Sequence, residues 1–147
     1  MTGFARSTTH YASFEWRYDA DGKVWAQAQA HDTLVAKTVY KIIVNEFGQI
    51  TAAQADDVLY YLLGVPEAAA ASGDIVWLQI GGYIADMICP SLSVSVGHAL
   101  TMTNGASVDS AADYTGAAGQ FFVCATATTT ATTITGQLVP KYILGTT

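Results

Sequence analysis

The sequence predicts an all-β fold, a small β-barrel or sandwich built from glycine-turn hairpins, with an extended aromatic N-terminal arm and at most one short helix. Three observations carry that expectation. From about Leu34 onward, apolar and β-branched residues fall in short runs punctuated by glycine. A unit of strand, glycine turn and return strand recurs three times. The first thirty residues, by contrast, scatter Phe4, Tyr11, Phe14, Trp16, Tyr18 and Trp25 through polar sequence without a sustained period of two or 3.6.

Taken in chain order, Ser13-Phe14-Glu15-Trp16-Arg17-Tyr18 alternates enough to form a short strand, which ends at the turn Asp19-Ala20-Asp21-Gly22. An aromatic segment of this kind cannot build a core alone. It either packs back on the body or lies across a partner. Aromatic residues and Arg dominate interface hot spots, which favours the second reading. The division expected is therefore an extended arm over 1–32 and a β domain over 33–147. Phe4, Arg6, Tyr11, Phe14, Trp16, Arg17, Tyr18 and Trp25 are the candidate partner-binding residues. Removing residues 1–30 should then leave the β domain folded.

The first copy of the repeated unit is Lys41 to Val44, Gly48 and Gln49 to Thr51. The second runs Ile75 to Ile80, Gly81-Gly82 and Tyr83 to Ile88; the third runs His98 to Thr103, Asn104-Gly105 and Ala106 to Val108. Gly-Gly and Asn-Gly supply the positive φ that two-residue hairpin turns require, so both are read as tight hairpins. Gln120 to Ala127 and Thr132 to Val139 are two further strands, separated by a Thr/Ala tract whose β-branched residues suit a strand or its edge. Thr51-Ala52-Ala53-Gln54 has capping-box spacing, yet Val58 to Leu63 reads as well as a buried strand, which is the reading preferred. Pro66 to Gly73 reads as one or two helical turns, with Pro at the first position, alanines inside and Gly at the close.

At 147 residues the chain has room for one core. Charged residues make up 12%, about half the ~25% usual in soluble domains. So little surface charge points to an exterior largely buried in an assembly. Residues 42–140 contain eight acidic residues and no Lys or Arg, a balance that repels a phosphate backbone and argues against nucleic acid as a partner. The apolar run from Val58 to Val65 falls well short of the ~20 residues of a membrane span, so no membrane is expected. The opening Met1 to Arg6 lacks a basic segment followed by an apolar one, and the expectation is a chain made and kept in a cytoplasm.

The sequence holds no recognisable catalytic constellation. His10, His31 and His98 are far apart and lack a carboxylate at a recognisable spacing. Cys89 and Cys124 carry no zinc spacing and sit in apolar strand contexts, as buried thiols that behave as small hydrophobes. Asp56-Asp57 has no further oxygen ligands in sequence, and neither a phosphate loop nor a nucleophile elbow is present. The expectation is a protein that is not an enzyme and uses no cofactor or metal.

The stretch from about Val65 to Ile143 resembles the tailed-phage head decoration, or capsid cement, proteins of the small β-barrel type. Gly64-Val65, then Glu67 to Asp74, then Ile75 to Gly82 match the pattern of a Gly-Val strand leading through an Ala-rich turn to Gly-Asp. Val96-Gly97 before a further strand and the close over Gln120 to Val123 and Ile134 to Ile143 also fit, so the likeness covers a little over half the chain. The resemblance implies a virion protein on the outer capsid surface, a homotrimer bound to the phage major capsid protein, that bridges capsomers and stabilises the shell. Two other classes remain open: a different virion component (tail tube, fibre or head-completion protein) and a small ligand-binding barrel.

Overall fold

A computed structural model describes residues 15–44, 50–54, 62–103, 106–113, 115 and 120–139. Its strands are β1 (Trp16–Tyr18), β2 (Val24–Ala30), β3 (Tyr40–Val44), β4 (Ile50–Gln54), β5 (Leu62–Pro66), β6 (Ile75–Val94), β7 (His98–Thr103), β8 (Ala106–Asp113), β9 (Gln120–Cys124) and β10 (Thr128–Leu138). No helix occurs among the described residues, and the all-β expectation of a small barrel or sandwich holds.

The pairings of the first half close on themselves. β2 pairs β4 in parallel, with Gln29 opposite Thr51, and β4, β3, β5 and β6 follow as antiparallel neighbours. β6 then returns to β2, antiparallel, with Ala26 opposite Leu78 and Ala28 opposite Val76. Alternation explains what fills the ring. Ala26, Ala28, Ala30, Tyr40, Ile42, Leu62, Leu78 and Ile80 share one buried cluster, with Leu34 from the β2–β3 connection. A ring of so few strands is narrow inside, and the small residues of β2 and Gly64 are what let it close. A Cβ on Gly64 would stand 2.8 Å from Leu78 Cβ and 3.0 Å from Ile42 Cδ1.

The second half is a sheet ordered β6, β10, β9, β7, β8. Its buried residues, including Ile84, Met87, Leu100, Phe122, Ile134 and Leu138, pack with Val39, Val65 and Leu63, neighbours in sequence of the inward-facing Tyr40, Gly64 and Leu62. The ring thus has one core inside and lends its outer wall to another. Cys89 and Cys124 lie in this second core as thiols, not joined in a disulfide, and burial pushes the Cys89 thiol up from its ordinary pKa.

One strand joins the two halves. Ile75–Gly81 of β6 lies between β2 and β5, and from Gly82 onward the same strand pairs β10. The expected Gly81-Gly82 hairpin is therefore corrected: the strand bends there and does not turn back. Gly82 has φ +91°, and a Cβ on it would meet the Gly22 carbonyl oxygen at 2.8 Å and Lys23 Cα at 3.0 Å. The glycine pair marks a close approach of another backbone, the β1–β2 turn, which is the other use of glycine inside a strand. Two bulges follow. Ile84 and Met87 stand opposite Gly136 and Ile134, so β6 has one extra residue there; Asp86 takes φ +56° and the Thr135 hydroxyl accepts from its N–H at 3.1 Å. Between Ile88 and Leu92, opposite Thr133 and Ala131, β6 gains further residues around Pro90, which has no N–H to offer a ladder.

The other hairpins form as read. Tyr40 to Val44 pairs Gln54 to Ile50, and Thr103 stands opposite Ala106 on either side of Asn104-Gly105, two residues that lie outside those described. The Thr/Ala tract enters β10 from Thr128. Leu62 and Leu63 belong to β5, in keeping with the strand reading of 58–63, whose other residues lie outside the described set. The helical reading of Pro66 to Gly73 is corrected. Pro66 ends β5 opposite Leu78, and the backbone of Ala70 exchanges hydrogen bonds with Leu34, at 2.8 and 3.1 Å, across to another segment. Gly73 N–H donates to the Ala30 carbonyl at 2.8 Å. Tertiary backbone pairing thus overrides the helical preference of four alanines.

Candidate partner-binding surface

Of the eight residues singled out in the sequence, Phe4, Arg6, Tyr11 and Phe14 lie outside the described residues. The other four meet on the β1–β2 hairpin, and they correct the expectation of an arm running to residue 32. β1 pairs β2 through Trp16–Ala26, Arg17–Trp25 and Tyr18–Val24, and β2 is a wall of the closed ring. Trp16 packs against the ring core with Val24, and Ala26, Ala28 and Ala30 lie inside it. Apolar residues at alternate positions of β2 drive it into the body, because each finds a buried position on one face.

The turn between the strands is set locally. Asp19 N–H donates to the Lys23 carbonyl at 2.9 Å, Gly22 N–H donates to the Asp19 carbonyl at 3.1 Å, and Gly22 takes φ +85°, which glycine adopts without a Cβ penalty. This places Asp19 beside the outer face of the hairpin. Its Oδ2 accepts from Trp25 Nε1 at 2.7 Å and its Oδ1 lies 3.5 Å from Arg17 Nε.

On that face Arg17 stands opposite Trp25, and Gln27, one step further along β2 on the same face, stands opposite Trp77 of β6. The guanidinium of Arg17 spans both indoles, its Cζ 5.5 Å from the Trp25 ring centroid and 4.9 Å from that of Trp77. Trp25 is buried, Trp77 is half-buried and the Arg17 side chain is 50% exposed. Tyr18, at 75%, has the highest exposure among the large exposed hydrophobic residues. The result is a cation placed over two aromatic rings, an arrangement worth about 0.5–2 kcal/mol per contact depending on how far it is desolvated. Asp19 and Trp77, which complete it, were read from sequence only as a turn residue and a strand residue. Asp19 is close in sequence to Arg17, but Trp77 is sixty residues away and only the strand register brings it there.

Elsewhere the chemistry is sparse. Among the described residues no group of three or more His, Cys, Asp or Glu converges as metal ligands would. His31 Nδ1 and Asp32 Oδ1 are 3.1 Å apart on the surface, both exposed. Lys37 Nζ donates to Glu67 Oε2 at 2.9 Å, another surface pair. No described helix is long and apolar enough to cross a membrane.

No protein-family model and no curated protein sequence matches the chain. Its fold is similar to that of a phage head-fibre base. The solved structure is that of the N base of head fiber gp8.5 in bacteriophage phi29, with a TM-score of 0.53, 16% sequence identity, and coverage of 80% of this chain and 94% of that one. At that identity the likeness concerns the fold.

Proposed function

We propose that this chain is a structural protein of a tailed-phage head that docks on the outside of the capsid shell, bridges capsomers and stabilises them. The observation that carries the reading is the shared fold with the base of a phage head fibre. The decoration-protein pattern over Val65 to Ile143 points the same way independently. The physical character of the chain suits the role. Low charge favours desolvated contacts with neighbours, and many copies on one particle act together by avidity. In this reading the chain carries out no reaction, acts as a homotrimer, and has the major capsid protein as its partner. The head-fibre likeness also favours a second reading, that the fold is an anchoring base for another virion component without a bracing role.

Co-sedimentation of the full chain with bare expanded capsids of its source phage separates the two. Saturation at a fixed ratio to the shell protein, with a rise in the temperature at which capsids rupture, is expected. Saturable binding without that rise would favour the anchoring base, and absence of binding would overturn both.

A further inference from the structure

We propose that the Arg17 guanidinium is the anchor point of the docking surface and takes a carboxylate from an acidic side chain of the partner protein; this inference rests on the capsid-docking reading. Three features of the hairpin lead to it. First, the guanidinium already has partners that favour one position, the Trp25 and Trp77 rings on one side and Asp19 at Nε. A side chain that has given up its rotamer freedom before binding loses less on binding. Second, the contact to Asp19 is at Nε, at 3.5 Å. Among the described residues, no hydrogen-bond acceptor or ion-pair partner meets the two terminal nitrogens, and half of the side chain is open to solvent. Two parallel N–H donors at one edge of a planar cation form the fork that a carboxylate fits bidentately. Third, the surroundings select the kind of anion. Asp19 offsets the charge of Arg17, so the site has no net positive charge with which to hold a polyanionic backbone, and the net charge of −6 disfavours one further. The open part of Trp77 provides apolar area beside the fork, as a protein contact would use.

The registry of the hairpin explains why the fork faces outward. Arg17 shares its face with Trp25, while Trp16 on the opposite parity is drawn to the ring core. A one-residue slip of β1 would bury the cation and expose the indole, so pairing with β2 fixes the direction in which the receptor points.

The test is equilibrium binding of the full-length chain to bare expanded capsids, for wild type, Arg17→Ala, Arg17→Lys and a control, Lys37→Ala, whose charge lies on another surface pair. Far-ultraviolet circular dichroism and thermal melts of the unbound proteins check folding. Arg17→Ala is expected to weaken binding about 30-fold or more, the loss typical of a hot spot. Arg17→Lys keeps the charge but loses the planar fork, and is expected to recover little of it. Lys37→Ala should stay within about 2-fold of wild type, as surface pairs do. Wild-type affinity in both folded Arg17 variants, or equal losses in Arg17→Lys and Lys37→Ala, would overturn the anchor while leaving capsid docking intact. Failure of wild type to bind would overturn the functional reading and the anchor with it. A wild-type oligomer that Arg17→Ala dissolves without capsids would assign the carboxylate to a second copy of this chain and overturn the shell as its source.

Discussion

Gly73, Gly82 and Gly136 show how differently a missing side chain can matter from one position to the next. Gly73 and Gly82 both have positive φ, yet nothing lies within 4 Å of the Cβ that Gly73 lacks, whereas Gly82 faces the Gly22 carbonyl oxygen and Lys23 Cα. Gly73→Ala should therefore cost only the left-handed penalty of about 1–2 kcal/mol. Gly82→Ala should cost that plus the separation of β6 from the β1–β2 turn, about 1–3 kcal/mol more by the measure of overpacking. Chemical denaturation of the two variants checks the ranking, and equal losses would mean that the contact at Gly82 relaxes without cost. Gly136 belongs with Gly82, since a Cβ there would meet the Phe122 ring at 2.8 Å and the Val123 carbonyl oxygen.

Elements show where sequence reasoning holds and where it stops. Strands bounded by local turns were legible: the Asp19–Gly22 turn and the two hairpins around residues 44–50 and 103–106 follow from turn chemistry and alternation alone. Gly81-Gly82 carries the same local signal as a hairpin, and what distinguishes it is the β1–β2 turn lying against it, a contact made between residues about sixty apart. The alanines before Gly73 read as helix for a like reason, because their pairing partner, Leu34, is distant in sequence. The candidate site was half legible. Trp16, Arg17, Tyr18 and Trp25 were found from composition, but their attachment to the body was not, since it depends on the small residues Ala26, Ala28 and Ala30 fitting inside a closed ring. That attachment changes the outcome of truncation. Removing residues 1–30 deletes β2, opens the ring and bares Leu78 and Ile80, so the truncated chain is expected to lose its cooperative melt and native circular dichroism. A folded product would mean that β4 and β6 can close the ring without β2.

Over the whole molecule, the two cores are coupled by construction. Val65 and Leu63 of the ring pack in the second core, and β6 contributes Leu78 and Ile80 to one and Ile84 and Met87 to the other. Neither half has a complete set of strands without β6. Calorimetry is accordingly expected to show a single transition, and Leu78→Ala in the first core or Phe122→Ala in the second should shift that same transition by about 2–5 kcal/mol. Two resolved transitions would show that the halves unfold separately. If the chain docks on a shell as proposed, load applied to one half reaches the other through covalent backbone.

The bulges of β6 bear on how such a strand can change over generations. Its core-facing residues are even-numbered through Leu78, Ile80 and Ile84, odd-numbered at Met87 and Cys89, and even again at Val94. The first bulge works like a frameshift in the inside–outside code of the strand, and the irregular stretch from Ile88 to Val94, taken as a whole, reverses it. Loss of a single residue between Ile84 and Met87 would remove the first shift and leave a regular ladder to Gly136 and Ile134, with Met87 and Cys89 still turned inward. A change in the length of β6 is therefore open at its bulges, which already hold residues without a partner, and closed in the regular stretch Ile75–Gln79, where one residue more or less would reverse the face of every residue beyond it.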